Sequence, residues 1–167
     1  ITTTGVRKGI LYRTCSPVNP RHKRNTYADA ALKKNGVKTI MNLADSKADV
    51  EGYEGYSESY YSTCNYIALN MGMSFMNDEF RTKLASGLRF FADHAGPYAV
   101  HCTEGKDRCG LISAILECFM GASYDEVKRD YMVTFYNYYG ISPTDEEYDK
   151  IADTNIKRLL QKLFNIA

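Results

Sequence analysis

Residues 98–121 read YAVHCTEGKDRCGLISAILECFMG. The short apolar run Tyr98-Ala99-Val100 predicts a buried strand arriving at His101-Cys102. Beyond Arg108, Leu111, Ile112, Ile115, Leu116 and Phe119 recur at the helix period, and Gly121 stands where a helix C-terminal glycine belongs. A cysteine therefore sits at the C-terminal end of a strand, and a loop containing Gly105 leads from it into a helix N-terminus. Successive backbone N–H groups of such a loop point inward, with the positive end of the helix dipole behind them. That geometry suits an oxyanion.

The same field acts on Cys102. A thiol at a helix N-terminus beside a guanidinium has its pKa lowered from about 8.5 into the range of roughly 3.5–7.5, and the thiolate is a nucleophile at neutral pH. Arg108 offers a planar fork for two phosphate oxygens and charge for the transition state. A nucleophile and an anion cradle in one loop imply in-line attack on phosphorus, with the chain itself as temporary acceptor. The bland alternative is a structural cysteine buried in a strand-to-helix turn.

Cys102-x5-Arg108, preceded by His101, resembles the signature loop of the cysteine-dependent protein tyrosine phosphatase superfamily. The form Cys-Thr-Glu-Gly-Lys-Asp-Arg is similar to that of a bacterial branch whose members hydrolyse phosphotyrosine and, in some cases, phosphoinositides. The resemblance implies an α/β, protein tyrosine phosphatase-like fold, with a short, mostly parallel central sheet flanked by helices. It implies a phosphate-binding loop over Thr103, Glu104, Gly105, Lys106, Asp107 and Arg108, with inorganic phosphate or sulfate able to settle in it. The reaction implied is phosphomonoester hydrolysis through a phosphocysteine, with Cys102 as nucleophile, Arg108 as clamp and His101 in support. No cofactor or metal enters it. One position departs from the pattern: the family usually carries Ser or Thr after the arginine, and here stands Cys109. A thiol is a poorer hydrogen-bond donor than a hydroxyl, which would slow hydrolysis of the phosphocysteine. It also puts a second sulfur beside Cys102, where a reversible disulfide would protect the nucleophile, although a small apolar filler is the simpler reading.

Composition narrows the rest. The 167 residues are read as one domain, 1–167, large enough for a core. Lysine and arginine nearly balance aspartate and glutamate, to a net charge of +1, so nothing draws the chain toward nucleic acid. No apolar run is long enough for an integral membrane segment. The chain begins at Ile1 rather than methionine and is read as trimmed, which leaves cytoplasmic and exported locations both open. Five cysteines without a C-x2-C pair leave at least one free thiol, and three scattered histidines make a poor zinc site.

In chain order, Ile10–Arg13 predicts a strand, and the basic run Arg21-His22-Lys23-Arg24 a solvated face or a positive rim for a phosphorylated substrate. A helix capped by Asn25 or Thr26 is expected through Lys34, then a strand over Val37–Leu43. Beyond that strand comes Asp45, which would share a rim with Cys102 because function gathers past the carboxyl ends of parallel strands. Asp45 is the first choice as general acid and Asp107, inside the loop, the second; Asp78 is weaker. Residues 47–63, rich in tyrosine, predict a helix with a weak middle, and their rings are read mainly as packing. Another strand is expected over Cys64–Leu69, a loop over residues 70–76, and a helix from Asn77-Asp78 to about His94. Ser123-x-x-Glu126 and Thr144-x-x-Glu147 read as two capping boxes, the second opening an amphipathic helix.

Lys106 adds positive charge at the mouth of the loop. The reading is thus a phosphatase of tyrosyl or dual specificity, whose partner is a phosphorylated protein or a phosphoinositide. Other readings stay open: an inositol polyphosphate phosphatase, a sulfurtransferase or arsenate reductase, or an inactive phosphate-binding module.

Overall fold

The computed structural model describes residues 2–75 and 77–164 and divides into two units, Gly9–Cys109 and Ile1–Lys8 with Gly110–Ala167. The expected loop over 70–76 is described as far as Phe75; Met76 lies outside the described residues.

The larger unit holds β1 (Leu11–Thr14), α1 (Asn25–Lys34), β2 (Thr39–Asn42), α2 (Lys47–Gly52), β3 (Asn65–Ala68), α3 (Asp78–Asp93) and β4 (Tyr98–His101), and α4 (Asp107–Phe119) begins in it. The strands run in the order β1-β4-β2-β3, every pair parallel. Parallel strands are covered on both faces and read as continuous apolar runs, which is why every residue of β2 is buried and Ala99 and Val100 are closed to solvent. β2 and β3 are shorter than the runs expected over Val37–Leu43 and Cys64–Leu69, because the flanking residues leave the ladder for loops. The registers bring Thr14, His101, Asn42 and Ala68 level. All four carboxyl ends therefore open on one rim, with the central pair β4 and β2 beneath it.

One side of the core gathers Val18, Leu32, Val37, Ile40, Val50, Tyr61 and Ala99. Burial of each large side chain there contributes about 1.5–3 kcal/mol. On α3, Gly87 lets the helix settle closely, since a Cβ there would stand 2.8 Å from Cε of Met41 and 3.1 Å from Cδ1 of Leu69.

Two local expectations for this unit need correction. α1 is not capped by Asn25 or Thr26; its N-cap is Arg24, with no side-chain bond. Lys23 takes a left-handed φ of 53° and closes the turn over Pro20–His22, which delivers the chain into the helix one residue early. The helix expected over 47–63 stops at Gly52. Ser46 and Asp49 form its capping box, but the chain then runs through turns, with Gly55 at φ 80°, into one 3-10 turn at Tyr61–Thr63.

The second unit contains α5 (Tyr124–Tyr139), α6 (Glu147–Ala152) and α7 (Arg158–Phe164). Ser123 and Glu126 form the expected capping box for α5, and Gly140 closes it at φ 73°. Thr144 does not cap α6. Asp145 instead accepts from the Ser142 amide and hydroxyl, Thr144 Oγ1 pairs with Ser142 Oγ at 2.9 Å, and Glu146 precedes the helix without a side-chain cap. A π-helical turn, Asp153–Lys157, separates α6 from α7. The buried residues Tyr148, Ala152, Ile156 and Leu160 recur every fourth position. In an α-helix such a row drifts by about 40° per step, and the wider turn brings it back onto one face. Among the described residues, no helix is long and apolar enough to cross a membrane.

Candidate active site

β4 delivers His101 and Cys102, both buried, to the centre of the rim, and α4 starts at Asp107. What shapes the loop between them is Gly105, at φ 77°. A Cβ on it would lie 2.7 Å from the carbonyl carbon and oxygen of Thr14 and 2.8 Å from the Cys15 amide nitrogen, a collision with backbone that no rotamer relieves. A second tie, from the Ser16 amide to the Thr103 carbonyl at 3.2 Å, holds the loop against the end of β1.

Inside the loop the Gly105 amide donates to Cys102 Sγ at 3.3 Å. The Cys102 pKa is pushed down to about 6: a hydrogen bond from the Cys109 thiol acts most strongly, burial opposes it, and the Cys109 and Gly105 amides and the Arg108 charge add to the lowering. Cys109 itself is fully buried, and burial together with the neighbouring Cys102 raises its own pKa far above the ordinary thiol value, so it keeps the proton it donates. Its sulfur also lies 3.8 Å from the Thr14 carbonyl oxygen. Arg108 donates from Nη1 to the Met71 carbonyl at 2.9 Å and from Nη2 to Thr103 Oγ1 at 3.3 Å, which fixes its guanidinium between the loop after β3 and the cysteine loop.

A titration follows from this. Alkylation of Cys102 by iodoacetamide, read on its own peptide because all five cysteines are free, should rise with pH through a midpoint of about 6. Cys109→Ala should move the midpoint up toward the ordinary value of about 8.5, while Cys109→Ser keeps it low. An unmoved midpoint in the alanine variant would remove Cys109 from the account.

Asp45 lies past the end of β2, on the expected rim, but it is only 6% exposed and both its carboxyl oxygens are engaged. Asn42 Nδ2 donates to Oδ2 at 3.0 Å and the Tyr53 hydroxyl to Oδ1 at 2.8 Å, with Tyr53 in turn accepting from Asn19 Nδ2. Asp107, in the first turn of α4, keeps 43% of its side chain exposed. Asp78 is almost wholly exposed and pairs with Arg81.

Lys106 is not the open charge expected at the mouth. Its side chain is 15% exposed, with Nζ 3.8 Å from both Glu104 and Asp107. Glu104 also draws His22 of the basic run to 3.7 Å, while Arg21 and Lys23 remain exposed. Among the described residues, no three His, Cys, Asp or Glu side chains cluster to hold a metal.

The residue that sequence reasoning missed is Tyr61, taken there as packing. It is fully buried, and its hydroxyl stands 3.1 Å from His101 Nε2. Burial pushes the His101 pKa down to about 4, aided by Arg108 and opposed by Asp45 and the Cys102 main chain, so the ring is neutral at pH 7.

A family model described as "Tyrosine phosphatase family" matches residues 2–165. TpbA of P. aeruginosa shares 18% identity at a TM-score of 0.56, covering 90% of this chain and 81% of its own. A cysteine-to-serine form of TpbA in complex with pTyr gives 17%, 0.56, 90% and 80%. The core catalytic domain of the S. cerevisiae PP-IP phosphatase SIW14, in complex with citrate, gives 14%, 0.52, 98% and 92%. At these identities the likeness is one of fold. No curated protein matches the sequence.

Proposed function

Since this chain belongs to the tyrosine phosphatase family, whose members are cysteine-dependent phosphatases, we propose that it hydrolyses phosphotyrosine in proteins with Cys102 as nucleophile. The observation that carries the reading is the Cys102 sulfur itself, accepting the Gly105 amide at 3.3 Å at the start of α4, with its pKa pushed down to about 6. The thiolate attacks phosphorus and the P–O bond to tyrosine breaks, giving a phosphocysteine. Loop amides from Thr103 to Arg108, and the Arg108 donors not spent on Met71 and Thr103, take the equatorial oxygens. Water then attacks the phosphocysteine, releasing phosphate and restoring the thiolate.

Phosphotyrosine is favoured over a polyphosphorylated inositol because Lys106 is flanked by Glu104 and Asp107. Extra phosphates would face those two carboxylates. For the proton that the leaving oxygen needs, Asp107 is the better supported donor, being accessible in the loop. Asp45 would first have to give up Asn42 and Tyr53.

One experiment tests both assignments: phosphate release from a phosphotyrosine peptide, a phosphoserine peptide and phosphoinositides, with aryl phosphates of graded leaving group for the aspartate variants. Wild type should prefer phosphotyrosine. Asp107→Asn should lose about 10²–10⁴-fold on poor leaving groups and little on nitrophenyl phosphate. Should Asp45→Asn show that dependence instead, the donor is Asp45; a preference for the lipids would shift the substrate class.

A further inference from the structure

Arg108 reaches outside the cysteine loop for one of its partners, the Met71 carbonyl, which accepts Nη1 at 2.9 Å. Met71 lies in the segment after β3, and that segment carries the hydrogen bonding of the sheet past the strand ends. The Leu69 amide donates to the Asn42 carbonyl at 2.8 Å, the Met71 amide to Leu43 at 2.8 Å, and the Leu43 amide to His101 at 2.9 Å. Between Leu69 and Met71 stands Asn70, exposed, at φ 43°. Asparagine tolerates the left-handed region better than most side chains. Even so, a residue other than glycine keeps that conformation only where its surroundings over-determine it.

Here the surroundings grip the backbone on both sides of Asn70. Its amide donates to the Asp45 carbonyl at 3.1 Å. The peptide that follows is tied at both ends: its N–H is the one that meets Leu43, and its oxygen accepts Nζ of Lys83, from α3, at 2.6 Å. Turning that peptide plane would break both bonds at once. Glu79, one helical turn before Lys83, accepts the same Nζ at 2.6 Å and steers it, and the lysine side chain is only 27% exposed. Beside the turn, Met71, Gly72, Phe80 and Lys83 line a cavity of about 120 Å³. Packing there leaves the segment room to shift, so its position depends on the hydrogen bonds.

We propose that Lys83 is a positioning residue for Arg108: by fixing the plane of the Asn70–Met71 peptide, it fixes the next carbonyl, on which the guanidinium is seated. Rotation of that plane changes ψ of Asn70 and φ of Met71, and so swings the Met71 carbonyl away from Nη1. Arg108 would keep Thr103 Oγ1 and lose its second anchor. The consequence for turnover rests on the reading of Arg108 as the phosphate clamp; the seat itself does not.

The test joins the nitrogen NMR of the Arg108 guanidinium, assigned against Arg108→Lys, to kinetics of Lys83→Met. In the wild type Nη1 and Nη2 should give separate resonances, because different acceptors hold them and hinder rotation of the group. In Lys83→Met the two should merge, and kcat/KM should fall about tenfold, within the ~10²-fold that a misplacement of about 1 Å can bring. The Cys102 alkylation midpoint should stay where it is. Made in the Arg108→Lys background, Lys83→Met should change kcat/KM less than about twofold, since the seat then has no fork to hold. Separate resonances that persist in Lys83→Met overturn the proposal, as do merged ones in the wild type. Equal losses in both backgrounds overturn it too, because Lys83 would then act on general stability. The resonances are readable in a protein with no turnover, so failure of the phosphatase reading is seen separately.

Discussion

Cys102→Ser should bind a phosphotyrosine ester about as well as the wild type and release no phosphate from it. Serine keeps the side chain's place beside the Gly105 and Cys109 amides, and Arg108 still meets Met71 and Thr103. What disappears is ionisation near pH 6. A hydroxyl stays protonated throughout the working range. Loss of a covalent nucleophile registers at roughly 10⁴–10⁶-fold in kcat. Rapid-mix release of the phenol leaving group by the wild type should show a burst of one equivalent if hydrolysis of the phosphocysteine limits turnover, and the serine variant should show none. Turnover within tenfold of wild type would end the nucleophile assignment.

The second large effect belongs to Arg108→Lys, which keeps the charge and loses the fork. An ammonium on a flexible stem cannot hold Met71 O and Thr103 Oγ1 while offering further planar donors to phosphate. An arginine that stabilises charge in phosphoryl transfer is worth about 10³–10⁵-fold, so kcat/KM should fall at least about 10³-fold, or about 4 kcal/mol. The Cys102 titration midpoint should hardly move, because Arg108 is the smallest of the influences that lower it. Measured together, activity and alkylation separate the two jobs of the guanidinium. A midpoint rising in step with the loss of activity would mean that Arg108 works mainly by ionising the sulfur.

The loop was legible in the sequence because its chemistry is contiguous: nucleophile, glycine turn, arginine and helix start occupy one short run. The strands were legible because both faces of a parallel sheet are covered, which leaves apolar runs in plain view. Tyr61 was not, because its partner His101 lies 40 residues away and nothing in the spacing marks one tyrosine among so many. Local motifs also compete. Ser123 and Thr144 carry the same capping pattern, yet only Ser123 caps, because Asp145 turns toward Ser142 and leaves Thr144 outside the helix start. Lys106 read as open charge because a sequence does not reveal that Glu104 and Asp107 fold back on it.

The contact between Gly105 and the end of β1 joins residues about ninety positions apart in the chain. Such pairings are among the slowest to form, because a long loop of chain must close before they bring any gain. Until β1 docks beside β4, its end is not there to hold Gly105 in its turn and aim its amide at the sulfur, and Cys102 lacks one of the hydrogen bonds that lower its pKa. A chain in which this pairing has not formed therefore carries a less reactive Cys102. The nucleophile is completed by the pairing of greatest sequence separation in the sheet, and its rate of alkylation doubles as a reporter of that closure.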